Sequence, residues 1–421
     1  MSAVAAGGAA LGLSGCTGDT RDAPDGNGGS GATGQTVVVW FMEGSVPQPA
    51  IDHLQSTFGA ENEGNTLQVE VQPRDDIIAK LQSSLESTSK SPDLVETVNT
   101  QSSIFSSVGS FTGLDDIYEE LGGEDLIQSF VAAGTWDDTL YAVPLFADPR
   151  GVFYRKDLFA AANIAEPTTM DGFTEAAINV GNANPDGVAG FTGTYLSAGD
   201  EHGVESLMFA GGGDWATQDG DGWVETLTDP ATVESLKRVQ RLFTEGTAQT
   251  LDTQAFPDAV EYFNEGKVGV LLATGRMGAG ISQEMWDADK VAVMPLPGAA
   301  EGDVGRTFAD GSNISLASNA QNPELARQAL RVIFGEEFQR LLGGDGRVPG
   351  NTRYGDATTG ALGEVAVPIV TNSHMTPTTP QWDVAAGDNL FSNFFTAIAQ
   401  GKDVATSAAD YGAQLEDILN R

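Results

Sequence analysis

The chain has 421 residues, of which 59 are acidic and 21 are Lys or Arg, so its formal net charge is −38. This length predicts two or three folded domains, each with a hydrophobic core large enough to be stable without disulfide bonds. The negative charge would repel nucleic-acid phosphates and anionic lipid surfaces, so no nucleic-acid partner is expected. Hydrophobic residues make up 40% of the chain, as in a folded globular protein. Cys16 is the only cysteine, which excludes an intramolecular disulfide and a thiolate metal site.

The first 15 residues have the pattern of an export signal. Residues 3–15 are small and apolar, as in a signal-peptide core, and are too few to span a bilayer. They end in Leu13-Ser14-Gly15-Cys16, which resembles the bacterial lipobox, although no Lys or Arg precedes the apolar stretch. We therefore expect a signal peptide over residues 1–15, lipidation at Cys16 and a flexible Gly-rich and Asp-rich tether over residues 16–35. The alternative is a free cysteine in a disordered tail.

From Thr36 onward, short apolar runs alternate with amphipathic stretches. This alternation predicts an α/β fold with mainly parallel sheets. The predicted strands are Val37 to Phe41, Leu67 to Val71, Leu94 to Val98, Tyr141 to Leu145, Val152 to Tyr154, Val268 to Ala273, Val291 to Met294 and Ile314 to Ala317. The predicted helices are Ala50 to Phe58, Asp75 to Leu85, Met170 to Val180, Ala231 to Glu245 and Pro323 to Leu342, the last with Asn322 at its N-cap. The Asp-Gly pairs of residues 219–222 favour a hairpin turn over a calcium loop.

Catalytic patterns are weak in this sequence. The three histidines, His53, His202 and His374, have no metal-binding spacing, and neither a G-x-S-x-G elbow nor a phosphate-binding loop occurs. Acidic pairs are plentiful, as expected by chance in so acidic a chain. We therefore predict a protein that is not an enzyme and that needs no cofactor or metal, while a glycoside hydrolase with two carboxylates across a cleft stays open as an alternative.

Several short motifs, in order over nearly 400 residues, carry a family resemblance. They are Thr36-Val37-Val38-Val39-Trp40-Phe41, Ser91-Pro92-Asp93-Leu94-Val95-Glu96-Thr97-Val98-Asn99-Thr100, Val152-Phe153-Tyr154-Arg155-Lys156-Asp157-Leu158-Phe159, Gly211-Gly212-Gly213-Asp214-Trp215, Phe263-Asn264-Glu265-Gly266-Lys267 and Asn322-Pro323-Glu324-Leu325-Ala326. The chain resembles the extracellular solute-binding lipoproteins of bacterial ABC-type sugar importers, in particular the actinobacterial oligosaccharide binders.

The resemblance implies two hinge-linked α/β lobes with a ligand cleft between them. It implies an N-terminal lobe of residues 36–147 and 271–310 and a C-terminal lobe of residues 148–270 and 311–421, with crossings near residues 146–150, 271–275 and 310–312. The implied function is capture of a di- or oligosaccharide and its delivery to an ABC importer permease by a lipid-anchored monomer on the outer face of the cell membrane. The membrane would be contacted only through the lipid. Another small solute, such as a sugar phosphate or peptide, is the alternative ligand.

Candidate binding residues follow from their places in the predicted fold. Ligands of open α/β sheets bind beyond the carboxyl ends of strands. Sugars need flat aromatic faces and planar polar side chains. The aromatic candidates are Trp40, Trp215 and Trp382, and the polar candidates are Glu43, Asn99, Gln101, Asp148, Arg150, Arg276 and Asp310. Core packing is the alternative for each Trp, and a hinge role is the alternative for Asp310. Arg276 stands where many relatives place a Trp. Arg150, Arg276 and Arg347 would favour an anionic ligand if they met at one place.

Overall fold

A computed structural model of the protein describes residues 34–220, 222–247 and 259–421. The predicted signal peptide, Cys16 and residues 17–33 of the predicted tether lie outside the described residues. The strands are β1 Thr36–Met42, β2 Thr66–Gln72, β3 Leu94–Val98, β4 Phe111–Thr112, β5 Thr135–Trp136, β6 Thr139–Leu140, β7 Ala142–Arg155, β8 Thr192–Thr194, β9 Ala216–Asp219, β10 Gly222–Glu225, β11 Val268–Thr274, β12 Val291–Met294, β13 Ala309–Ala317 and β14 Val348–Pro349.

The helices fill the intervals between these strands and the C-terminal quarter of the chain. They are α1 Gln48–Glu61, α2 Ile77–Leu85, α3 Ser102–Ser106, α4 Tyr118–Leu121, α5 Gln128–Ala133, α6 Lys156–Ala161, α7 Met170–Ala183, α8 Glu201–Ala210, α9 Pro230–Arg241, α10 Ala259–Asn264, α11 Gly275–Gly278, α12 Gln283–Asp287, α13 Pro323–Ile333, α14 Glu336–Gly344, α15 Ala366–Thr371, α16 Pro380–Gly387, α17 Leu390–Ala399 and α18 Val404–Leu419. The predicted α/β class is confirmed, but the prediction of mainly parallel pairing is wrong, because most strand pairs of the described residues are antiparallel.

Local sequence signals explain several of these elements. The hairpin prediction is confirmed, since β9 and β10 pair antiparallel with Gly222 opposite Asp219. The helix predicted from Pro323 to Leu342 is in fact two helices, because α13 ends at Ile333 and α14 begins at Glu336, with Gly335 in an extended conformation at its N-cap. Asn322 precedes α13, but its side-chain amide donates to the carbonyl oxygen of Thr36 at 2.9 Å and does not cap the helix.

One long strand, β7, belongs to both halves of the main sheet. That sheet has the order β2-β1-β3-β13-β7-β11-β8, and β1 runs parallel to β2 and β3. Residues 142–149 of β7 pair antiparallel with β13, whereas residues 150–154 pair antiparallel with β11. The change of partner falls between Pro149 and Arg150, so this point of β7 is where the first lobe ends and the second begins.

The hydrophobic cores assign the later segments to lobes in a way that differs from the prediction. Ile314, Leu316 and Leu330 pack in one core with Val37 and other residues of β1, so residues 311–344 belong to the first lobe. Residues 271–308 belong to the second lobe, because β11 and β12 pair with the distal half of β7. The predicted lobe boundaries were therefore wrong for these segments. An apolar run indicates a buried strand, but it does not indicate which half of the long strand β7 that strand pairs with.

The chain therefore crosses between the lobes at other places than predicted. It passes into the second lobe within β7 and returns to the first at Ala309, where β13 begins opposite Pro149. After β14, which pairs with residues 146–147 of β7, it leads to helices α16–α18 of the second lobe. Within residues 34–220, 222–247 and 259–421, no helix combines the length and apolarity needed to cross a membrane.

Candidate functional site

The first-lobe wall of the candidate site is formed by the carboxyl ends of β1 and β3. Because these strands are parallel neighbours, the loop after Met42 and the turn at residues 99–101 lie at one edge of the sheet. Arg74, which follows β2, joins the same edge: its Nε donates to the backbone oxygen of Glu43 at 3.0 Å and its Nη2 to Ser45 Oγ at 2.9 Å. Polar groups from three strand ends therefore meet at this wall.

The floor of the site is the pair of strands that joins the lobes. Asp310 of β13 lies directly opposite Asp148 of β7, and Arg150 is two residues further along the same face. Arg150 forms ion pairs with Asp310 at 3.3 Å and with Asp200, which caps α8, at 3.2 Å. Its side chain is 6% exposed. The floor is thus a buried network of charges that spans both lobes.

The second-lobe wall comes from the end of β11 and the start of α8. Arg276 lies in the short helix α11 that directly follows β11, and its Nε is 3.6 Å from Asp148 Oδ2. Its side chain is 58% exposed. At the start of α8, the His202 ring stacks on Phe308 with a centroid distance of 4.0 Å, and its Nδ1 is 2.6 Å from Glu205 Oε1.

Burial and neighbouring charges shift the pKa values of these groups. Burial raises the pKa of Asp148, against the opposing effect of Arg276, and burial also raises the pKa of Asp200 against the effect of Arg150. Burial opposes the charge of Arg150, but Asp200 and Asp310 raise its pKa overall. Burial likewise opposes protonation of His202, but the Glu205 carboxylate outweighs it and raises the pKa of His202 to about 8.

Two cavities lie beside these walls. The first, of about 450 Å³, lies against the first lobe and combines apolar Met42, Ile77 and Val98 with polar Arg74 and Gln101. The second, of about 430 Å³, lies where the lobes meet and is lined by Gly44, Asp148, Arg276, Arg347 and Gly360, among others. Volumes of this size are typical of small-molecule sites. A ligand in the second cavity would touch elements of both lobes.

The match to a protein family decides what kind of site this is. Residues 42–340, well over half of the chain, match the bacterial extracellular solute-binding proteins. The chain belongs to this family. The predicted resemblance is thereby confirmed at the level of the family.

Relatives of this solute-binding protein span nearly its whole length. The diacetylchitobiose binding protein DasA of Streptomyces coelicolor is 28% identical over 398 residues, which cover 92% of this chain and 89% of the relative. A putative binding protein of Brucella abortus is 24% identical and covers 89% of this chain and 90% of its own.

Solved structures show the same fold at lower identity. The sugar-binding protein MalE of Xanthomonas citri superposes with a TM-score of 0.79 at 16% identity, covering 91% of this chain and 97% of its own. The GacH receptor of Streptomyces glaucescens, solved unliganded and with acarbose, gives 0.71 at 19% identity and covers 92% of this chain and 99% of its own. The predicted two-lobed fold is therefore confirmed.

The polar residues predicted from the sequence of this solute-binding protein lie around the cleft, although not all are available to a ligand. Gln101, Asp148 and Arg276 line the two cavities. Glu43 is exposed on the loop after β1. Asn99 is 1% exposed, and its amide group is occupied: Nδ2 donates to Ala309 O at 2.9 Å, and Oδ1 accepts from the next backbone N–H. Asn99 thus connects the first lobe to the start of β13. The prediction that Asn99 binds sugar hydroxyls does not fit this geometry.

The predicted tryptophan platforms are buried, which corrects the sequence interpretation. Trp215 is 1% exposed and Trp382 is 6% exposed, and both pack with Phe391 of α17 in the core of the second lobe. Trp40 is 8% exposed, and its indole N–H donates to Glu70 at 2.9 Å. With no ring face open to the cleft, these three residues serve packing in this structure. Trp215 and Trp382 are covered by the aromatic helix α17 late in the chain, whereas Trp40 packs with Ile77 and Leu81 of α2.

Sequence reasoning missed three residues of the cleft: Asp200, His202 and Arg74. Asp200 and His202 follow β8, a strand of only three residues whose two threonines give no apolar signal. Arg74 follows the predicted strand at Leu67 to Val71, so the strand-end argument could have identified it. Arg347, which the sequence marked only as part of a possible anion site, lines the second cavity.

Proposed function

We propose that this solute-binding protein captures an oligosaccharide between its lobes and delivers it to the permease of an ABC-type importer. The observation that carries the proposal is the cavity where the lobes meet, which is lined by Arg347 of the first lobe, Arg276 of the second lobe and Asp148 of a strand that joins them. The binding of diacetylchitobiose named for DasA, the relative at 28% identity, supports a sugar as the solute.

The chemistry of the lining residues supports a ligand rich in hydroxyl groups. Gln101 and the guanidinium groups of Arg74 and Arg276 are planar hydrogen-bonding groups, which match adjacent hydroxyls on a sugar ring. Met42, Ile77 and Val98 offer an aliphatic surface for the apolar face of a ring or for a methyl substituent. This cleft would bind its sugar through polar groups and aliphatic packing instead of aromatic stacking.

Ligand binding would shift the protein towards a closed state. A ligand that touches both lobes binds the closed form more tightly, so binding and closure are thermodynamically linked. The strands β7 and β13, which run between the lobes at residues 147–150 and 309–311, are the natural hinges. The ligand would be bound and released without chemical change, as expected of a transport receptor.

The direct test is a calorimetric titration of the full chain with maltose, cellobiose and N,N′-diacetylchitobiose. At least one sugar should bind with a micromolar dissociation constant, which corresponds to about −8 kcal/mol. Gln101→Ala should weaken that affinity by about tenfold, the effect of about 1.4 kcal/mol from lost hydrogen bonds. Gln414→Ala, an exposed glutamine of α18 outside the cleft, is the matched control and should bind normally.

Chromatography of the ligand after incubation separates the proposal from its alternatives. Recovery of intact sugar agrees with a receptor, whereas hydrolysis products would establish a glycosidase. If no neutral sugar binds but a sugar phosphate or a peptide does, a neutral oligosaccharide is wrong as the solute and the receptor function stands.

The membrane attachment belongs to the same proposal. Cys16 lies outside the described residues, and its lipobox-like sequence supports lipid attachment that would hold the protein, as a monomer, at the outer face of the cell membrane. Wild-type protein should partition into the detergent phase of Triton X-114, whereas Cys16→Ser should not. Equal partitioning of both proteins would refute attachment through this cysteine.

A further inference from the structure

Two guanidinium groups from different lobes line the cavity where the lobes meet. Arg276 lies in α11 of the second lobe, and Arg347 lies just before β14, beside the first-lobe loop at Gly44. They are close enough that the positive charge of Arg276 contributes to lowering the pKa of Arg347. Like charges facing each other in this way destabilise the approach of the lobes unless something between them compensates.

Arg347 is held firmly in place. Its side chain is 9% exposed, and its two terminal nitrogens donate to the Asp345 carboxylate and to the backbone oxygen of Gly44. The guanidinium also lies 5.1 Å from the centre of the Phe146 ring. Burial, followed by the charge of Arg276, lowers its pKa to about 10, so Arg347 remains protonated at neutral pH. It is a fixed positive charge with a single orientation.

Arg276 is held loosely. Its one ion pair among the described residues places Nε 3.6 Å from Asp148, longer than the roughly 2.7–2.9 Å of a charge-assisted hydrogen bond. Its side chain is 58% exposed, although it lines the cavity. The terminal nitrogens of the Arg276 guanidinium are thus available to a ligand group that accepts two hydrogen bonds.

The acids around the cavity compensate these charges only in part. Asp345 is engaged by Arg347, and burial raises the pKa of Asp148, which weakens its tendency to carry charge. Outside the lining, Glu96 raises the pKa of Arg347 and Arg74 lowers it. The lining itself holds two arginines, Arg276 and Arg347, and two acids, Asp148 and Asp345, so the exposed charge of Arg276 is compensated only by the buried Asp148. An incompletely compensated guanidinium of this kind attracts an anion.

We infer that Arg276 and Arg347 form a subsite that binds an anionic group of the ligand, a carboxylate or phosphate carried by the sugar. The anion would accept a bidentate hydrogen-bond pair from Arg276 and lie against the fixed charge of Arg347, relieving the repulsion between the two lobes. An acidic sugar would therefore favour closure more than its neutral counterpart. This inference rests on the proposed function, because it names the class of sugar for the same cleft.

The test compares neutral and anionic forms of the same sugar by calorimetry with the full chain. The probes are cellobiose with cellobiouronic acid, glucose with glucose 6-phosphate, and inorganic phosphate alone. An anionic sugar should bind at least about tenfold more tightly than its neutral form, the difference of about one charge-assisted hydrogen-bond pair. Preference for the uronic acid identifies a carboxylate as the recognised group, and preference for glucose 6-phosphate or inorganic phosphate identifies a phosphate.

Arg276→Gln is the decisive variant, because its exposed side chain can be replaced without disturbing the core. It should abolish the preference for the anionic ligand, so that the neutral and anionic forms bind within about threefold of each other, whereas any hydrogen bond lost to a hydroxyl weakens both forms alike and cancels in this ratio. Arg421→Gln is the matched control: Arg421 is 61% exposed and paired with Asp417 at the end of α18. This control should keep the preference.

The outcomes separate this inference from the proposed function. Equal binding of cellobiose and the anionic probes, or a preference that survives in Arg276→Gln, overturns the anionic subsite while the sugar receptor stands. Absence of binding by every sugar, neutral or anionic, overturns the proposed function together with the subsite.

Discussion

Replacement of Trp215 distinguishes a core residue from a ligand platform. The Trp215 ring lies in an aromatic cluster, with centroid distances of 4.9 Å to Phe391, 5.3 Å to Phe395 and 5.8 Å to Trp382. Its indole N–H donates to Glu205 Oε2 at 2.9 Å. Because the side chain is 1% exposed, Trp215→Ala leaves a large cavity and removes one donor from a buried carboxylate.

The expected loss of stability can be worked from these contacts. Core Trp→Ala changes cost about 3–5 kcal/mol, and the lost hydrogen bond to a charged group adds about 1.5 kcal/mol. We therefore expect Trp215→Ala to lower the free energy of unfolding by about 5 kcal/mol, a large part of the about 5–15 kcal/mol of a typical protein. Trp215→Phe keeps most of the packing and should lose about 2 kcal/mol.

Urea unfolding followed by circular dichroism measures these losses. The matched control is Trp223→Ala, a partly exposed tryptophan of β10 at the edge of the same core, which should cost less than half as much. The reasoning would be refuted if Trp215→Ala lost less than about 1 kcal/mol of stability and nevertheless abolished ligand binding. That result would restore Trp215 as a stacking platform.

Three further substitutions test the charges of the second lobe and the floor. The pKa of His202 is raised to about 8, so protonated His202 stabilises the fold fully below about pH 6.5 and loses this effect as the pH rises through 8. The Tm of the wild type should therefore fall over this range, and His202→Gln should make that fall smaller. Burial raises the pKa of Asp383 to about 6, and its carboxyl destabilises the fold once ionised; Asp383→Asn should therefore gain about 1–2 kcal/mol at pH 7 and little at pH 4, measured by urea unfolding. Arg150→Met leaves Asp200 and Asp310 facing each other without their shared cation and should lose about 3–5 kcal/mol in the same assay, with Arg150→Lys losing less.

The architecture was largely predictable from the sequence. Continuous apolar runs identified β1 and β11 to within a residue or two, because strands buried on both faces have that pattern. The lobe boundaries were not predictable in the same way. They depend on β7, a single strand of 14 residues that pairs with β13 along one half and β11 along the other. The apolar patterns of β11 and β13 do not indicate which half of β7 each strand pairs with.

The site was predictable at strand ends and unpredictable in the aromatic loops. Gln101 was identified because it follows a predicted strand and strand ends converge in an open sheet, whereas Arg276 was marked by its position in the family resemblance. Trp215 follows three glycines, which suggests an exposed loop. Its burial is decided by Phe391 and Phe395, more than 170 residues later in the chain. Burial by residues so distant in the chain cannot be recognised from the sequence around Trp215.

Glu205 links the cleft to the aromatic core, and its replacement should be visible at His202. The carboxylate is 2% exposed and has a partner on each oxygen, His202 Nδ1 at 2.6 Å and Trp215 Nε1 at 2.9 Å. His202 and Glu205 are three residues apart, on one face of α8. The carboxylate is therefore the main group that holds the pKa of His202 above its ordinary value against the opposing effect of burial.

Glu205→Gln keeps an oxygen for the Trp215 N–H and removes the charge beside His202. Burial then prevails, and the pKa of His202 should fall from about 8 to 6.5 or below. An NMR titration of the ring protons measures this directly, since the chain has only three histidines, and His53, which lies in α1, serves as the internal reference. If the pKa of His202 stayed near 8, Asp200 and Asp310 would be the groups that set its charge. The ion-pair network of the cleft floor, and not the link to the core, would then control this side of the site.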